Sequence, residues 1–112
     1  NGKQVRDLLY IDDLLRAFDL AIRHRKKTVG QVYNIGGGPA NSVSVWKEFG
    51  PMLESFIGKK IRVRYKAARL GDQRIFIADT TAAARDFHWK PEVGYRDGLN
   101  KLFAWIKAHH EH

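Results

Sequence analysis

Three glycines and a proline in succession, residues 36–39 of "QVYNIGGGPANS", cut this chain in two, because neither a helix nor a strand passes through such a run intact. Upstream, "VRDLLYI" (residues 5–11) is a β-favouring run. "DDLLRAFDLAIRHRKK" then changes to helical spacing, with Leu14, Leu15, Phe18, Ala21 and Ile22 on one face and Asp12 or Asp13 expected as the cap. "QVYNI" (residues 31–35) reads as a second strand, introduced by Gly30 and ended by the glycines. Strand, helix and strand within about thirty residues predict a right-handed crossover between parallel strands.

Downstream, "NSVSVWKEFGPMLESFIG" reads as a helix capped by Ser42 or Ser44, kinked at Gly50-Pro51 and closed by Gly58. "KIRVRY" alternates Ile61, Val63 and Tyr65 with Arg62 and Arg64, the period of a half-buried strand, and "IFIAD" is a shorter one. Asp79 or Thr80 is expected to start the helix "TAAARDFHW", which must stop before Pro91. A final amphipathic helix places Leu99, Leu102, Phe103 and Ile106 on one stripe. There is no internal repeat and no low-complexity linker, so the chain reads as one α/β unit.

Twenty Lys and Arg against 12 Asp and Glu give a net charge of +8, a field that draws phosphates, nucleic acid or acidic surfaces. The chain has no cysteine, hence no disulfide and no thiolate chemistry, as suits a reducing compartment. Its apolar runs fall short of the ~20 residues of a bilayer span, and no signal-peptide core opens it, so a soluble, cytoplasmic protein without a membrane partner is expected. The start at Asn1 reads as a piece of something longer.

A complete catalytic set is missing. No tyrosine is followed four residues later by lysine, and no Ser, His and carboxylate set follows from spacing. The glycine triplet completes neither dinucleotide-binding nor P-loop spacing and reads as a turn. Of the histidines, His109, His110 and His112 crowd one helix end, His24 sits where a helix C-terminus favours positive charge, and no metal site is expected.

The arginines are more informative. Arg6, Arg69 and Arg74 stand at strand ends and beside the Gly71 turn, where a planar, permanently charged fork suits phosphate; pairing with Asp7, Asp72 or Asp79 is the alternative. Asp72, set among arginines in "ARLGDQRIF", could accept hydrogen bonds from ribose hydroxyls, so the loop suggests a nucleotide.

Four stretches, "GKQVRDLLYIDDLLRAFDLA", "QVYNIGGGPANSVSV", "RLGDQRIFIADTTAAARDFHWKP" and "VGYRDGLNKLFAWI", occur in an order that resembles the C-terminal part of NAD-dependent nucleotide-sugar epimerases and dehydratases. These form the extended short-chain dehydrogenase/reductase family, and the nearest likeness is to its CDP-paratose (CDP-tyvelose) 2-epimerases. The resemblance implies that residues 1–112 are a single nucleotide-sugar-binding segment with short, mostly parallel strands and packing helices. The first helix and "VYNIG" would lie at the edge of a Rossmann sheet whose N-terminal NAD-binding domain is absent. It further implies that Arg6 and Arg69 contact the diphosphate of a nucleotide-diphosphate sugar, that Asp72 lies near the ribose, and that Asn41, then Gln4, are further ligands. Asp79, Trp89 and Pro91 read as structural.

NAD would serve the complete enzyme, removing and returning a hydride at the sugar's C2, and would not be bound by this chain alone. The chain by itself would be inactive. Cut from its sheet, the strand has an unpaired edge and the helix an uncovered face, which predicts a homo-oligomer or an element-swapped dimer. A nucleic-acid module built on "RVRYKAAR", or a non-catalytic interaction domain, are the competing readings; the resemblance makes nucleic acid the lesser partner.

Overall fold

The computed structural model describes residues 3–62, 64 and 74–109. Its centre is a short strand, β1 (Val5–Asp7), with β2 (Ser42–Ser44) antiparallel on one edge and β3 (Ile75–Phe76) parallel on the other. The result is an open, mixed sheet of order β2-β1-β3, in which Arg6 lies opposite Val43 and Phe76. Around it stand α1 (Ile11–Arg23), α2 (Arg25–Thr28), α3 (Phe49–Ile57), α4 (Thr81–Phe87) and α5 (Tyr95–His109). The α/β class is the one the sequence implies.

Residues 31–35 form no strand, so the expected crossover is not made. β1 has two edges, and β2 and β3 occupy both. The segment keeps a strand's alternation without a ladder: Tyr33 and Ile35 pack on the core, whereas Val32 is 92% exposed. The predicted helix from residue 42 is also corrected, because residues 42–44 pair with β1 and α3 begins only at Phe49. Pro51 therefore sits in a first helical turn, where its missing N–H costs nothing, and produces no mid-helix kink. Gly58 closes α3 as expected, at φ +82 with its N–H donated to the Glu54 carbonyl at 2.8 Å. Ile61 and Arg62 lie outside any strand, while Val63 and Tyr65 of the same predicted run are outside the described residues.

The core gathers Ala17 of α1, Ala83 and Phe87 of α4, and Trp89, which is fully buried. Tyr33 meets Phe87 edge-on at 4.9 Å and donates its hydroxyl to Asp86 at 2.7 Å. The Arg85 guanidinium, and after it this hydroxyl, hold the Asp86 carboxyl down to about 2. Asp79 acts at the start of α4 as predicted, its Oδ1 accepting the Thr81 N–H at 3.0 Å. That bond and the Thr81 hydroxyl lower its pKa, the hydroxyl more.

Neither Asp12 nor Asp13 caps α1, which starts after Tyr10 without a side-chain cap. Asp13 instead turns inward and is 2% exposed. Its oxygens accept the N–H groups of Glu92 and Val93 at 3.1 and 3.0 Å and the Arg16 guanidinium at 2.8 Å. Trp89 Nε1 donates to the Asp13 carbonyl at 2.9 Å, and Arg16 also reaches the Lys90 carbonyl at 2.7 Å. One turn of α1 thus fixes the whole Trp89–Val93 connection.

The opposite face of α1 is uncovered. Ile11, Leu15, Phe18 and Ile22, spaced as one helical stripe, are 53–64% exposed. The α5 stripe is also partly open: Phe103 stacks on Phe56 at 3.9 Å, but Leu102 and Ile106 are exposed. No helix among the described residues is long and apolar enough to cross a membrane.

Candidate functional site

β1 carries Arg6 on one face and Val5 and Asp7 on the other, as strand alternation requires. Arg6 is half-buried beside its register neighbours Val43 and Phe76, and its Nη1 donates to the Val5 carbonyl at 2.8 Å. Asp7 is directed elsewhere: its Oδ2 accepts the N–H of Gly38 at 3.0 Å and of Ala78 at 3.1 Å.

The glycine triplet is a corner packed against that strand. A Cβ at Gly37 would lie 1.8 Å from the Leu8 carbonyl oxygen, and one at Gly36 2.3 Å from Asp7 Oδ2 and 2.7 Å from Ala78 Cβ. The corner's space is filled by protein and a carboxylate accepts its Gly38 N–H, so the triplet does not fit a dinucleotide pyrophosphate. The turn reading of these glycines holds, and the reason is close approach together with the positive φ of Gly38.

Asn41, 8% exposed, ties this corner to two other elements. Its Nδ2 donates to the Gly37 carbonyl at 2.8 Å, its Oδ1 accepts the Tyr95 N–H that opens α5 at 2.9 Å, and its main-chain carbonyl accepts the Leu8 N–H at 2.9 Å. One amide hydrogen and one lone pair remain for anything else. Gln4 is half-buried, and its carbonyl accepts the Val45 N–H at 2.7 Å.

Arg69 and Asp72 lie outside the described residues, as does most of "RVRYKAAR". Arg74, which follows them, has its carbonyl bonded to the Val5 N–H at 2.7 Å. The chain therefore re-enters the sheet next to Arg6. Beyond the C-terminal end of β1 an apolar groove of about 300 Å³ opens between Leu8, Tyr10, Phe49, Tyr95, Leu99 and Leu102.

The basic run at residues 23–27 serves the end of α1. Arg23 pairs with Asp19 at 2.8 Å, while His24 Nδ1 lies 2.9 Å from the Leu20 carbonyl and Arg25 reaches the Ile22 carbonyl at 3.5 Å. Among the described residues no cluster of three His, Asp or Glu could hold a metal ion. Sequence reasoning missed the bridging role of Asp7 and the inward turn of Asp13. Only a carboxylate next to "R" or in a first helical turn marked them, and both positions have commoner explanations.

Comparisons with known proteins give a consistent picture. Residues 1–36 match the model of the NAD dependent epimerase/dehydratase family. The chain is 35% identical to CDP-paratose 2-epimerase of Salmonella typhi over 96% of its own length and 32% of the relative's. It superposes with a TM-score of 0.80 on UDP-glucose 4-epimerase of Thermotoga maritima, determined with UDP-glucose, at 32% identity, covering 99% of this chain and 34% of that one. A TM-score of 0.80 also relates it to UDP-glucuronic acid 4-epimerase of Bacillus cereus in complex with UDP-glucuronic acid and NAD, at 31% identity and 96% and 33% coverage. The chain spans about a third of the length of these proteins.

Proposed function

We propose that the chain is a member of the NAD dependent epimerase/dehydratase family, whose model its residues 1–36 match, and that it is the nucleotide-sugar-binding segment of an NAD-dependent sugar epimerase of the CDP-sugar 2-epimerase type. The observation that carries the reading is the reach of the similarity, which runs over 96–99% of the chain with proteins whose names and bound molecules are nucleotide sugars. In this reading Arg6 and Arg69 hold the diphosphate and Asp72 accepts from the ribose, while Asn41 sets the floor between them with its remaining amide valence. The return of the chain from Arg74 to Val5 supports a common site for the two arginines.

NAD is assigned to an N-terminal Rossmann domain, since the glycine triplet is closed and the sequence holds no Tyr-x-x-x-Lys pair. The bound cofactor would supply hydride transfer. This chain's own residues would fix the substrate's phosphates and leave the sugar free to present either face. By itself the chain is inactive. Calorimetric titration with a CDP-sugar should give saturable binding that inorganic diphosphate displaces. Heats of dilution alone, with CDP-, UDP- and dTDP-sugars alike, would sink the reading.

The uncovered α1 stripe and the unladdered segment 31–35 support a second expectation, that the isolated chain is a homo-oligomer or an element-swapped dimer. Light scattering behind size exclusion should show more than one chain per particle, and Phe18→Lys should shift it toward monomer. A monodisperse wild-type monomer would count against it.

A further inference from the structure

We propose that Asp7 is a positioning residue, whose carboxylate clamps β1 between its two neighbours and so holds Arg6 where its guanidinium meets a diphosphate. The second half of this rests on the nucleotide-sugar reading above. The first half rests on geometry. A three-residue strand has few ladder bonds, so its register needs support from outside the ladder.

Asp7 supplies that support from one atom. Its Oδ2 accepts from Gly38, 31 residues away on the path into β2, and from Ala78, 71 residues away on the path out of β3. Both flanks of the strand are therefore fastened at the same point. The fit is close: Gly36 has room for a hydrogen only, because the same oxygen stands where a side chain would begin. Arg6 is the next residue back along the strand, so any twist of β1 that loosens the clamp swings the guanidinium. Simple charge neutralisation of Arg6 is the competing role, and strand alternation speaks against it by placing the two side chains on opposite faces.

Two conservative variants separate the roles. Asp7→Asn keeps an oxygen acceptor at the same reach but removes the charge, and Asp7→Glu keeps the charge but moves the oxygen by one methylene. Amide hydrogen exchange at Gly38 and Ala78 should stay within about threefold of wild type in D7N and rise about tenfold or more in D7E. The order of the Arg6 Nε–H vector in nitrogen relaxation, a readout that needs no ligand, should be kept in D7N and lost in D7E. The opposite ranking would assign Asp7 to charge neutralisation and overturn the proposal.

With CDP as the probe, D7E should lower affinity about tenfold in the native background and by less than about twofold on top of Arg6→Ala. An equal loss in both backgrounds would also overturn the proposal, since Asp7 would then not act through Arg6. A wild-type chain that ignores CDP yet shows the exchange and Arg6 signatures would defeat the nucleotide-sugar reading and leave the clamp supported.

Discussion

Asp13→Ala is expected to remove about 3 kcal/mol of folding free energy, the lower end of the range for deleting one partner of a buried charge pair, because Asp13 is buried while the Arg16 side chain is 28% exposed. The substitution leaves the N–H groups of Glu92 and Val93 without their acceptor and Arg16 without its carboxylate. The Trp89 indole keeps its acceptor, the main-chain carbonyl of residue 13, so the loss falls on the Glu92–Val93 end of the connection. Against a typical total of about 5 to 15 kcal/mol, a loss of this size removes roughly a fifth of the stability or more. The denaturant midpoint should fall accordingly with little change in slope; a loss under about 1 kcal/mol would mean that water replaces the carboxylate at no cost.

The same residue makes a pH prediction. Burial alone would raise the Asp13 carboxyl, but the Val93 N–H, the Arg16 guanidinium and the Glu92 N–H together more than offset it and hold it below the ordinary carboxylate value. A lowered folded-state value contributes stability that is present in full above about pH 4 and disappears as the pH falls through the folded value. Asp13→Asn should therefore be less stable than wild type at neutral pH, and the gap should close in acid. A gap independent of pH would show that the charge is not what the site recognises.

Periodicity made α1, α4 and α5 legible, because their apolar spacing is a local property. The strands were less so. Residues 31–35 alternate as a strand should, but strand formation also needs a neighbour, and both edges of β1 are taken by residues 42–44 and 75–76. Residues 42–44 are hard to separate from the helix that follows, since Ser42 and Ser44 resemble caps as much as strand residues. Local sequence makes Asp12 or Asp13 a cap, while the partners that Asp13 takes lie 79 and 80 residues along the chain. The site shows the same divide. The chemistry of Arg6 is legible from its type, whereas Asn41 is bound to Gly37 and Tyr95 by contacts that only the tertiary fold creates.

For the proposed site, Arg69→Ala should cost on the order of 2 to 5 kcal/mol of nucleotide-sugar binding in the complete enzyme, as for truncating one member of a buried charge pair. That is a fall in affinity of roughly thirty-fold to several thousand-fold, large enough for calorimetry to read without ambiguity. Arg69→Lys keeps the charge and loses the two-pronged geometry, so it should fall between alanine and wild type if the fork grips the diphosphate. A lysine equal to arginine would reduce the residue to a general positive field, one that added salt should screen. Arg6 provides the internal control. Two arginines on one diphosphate share a ligand, so Arg6→Ala combined with Arg69→Ala should depart from additivity by at least about 0.5 kcal/mol. Strict additivity would place them on separate groups, and an unchanged affinity in Arg69→Ala would remove that residue from the site and leave Arg6, on the central strand, to hold the phosphate alone.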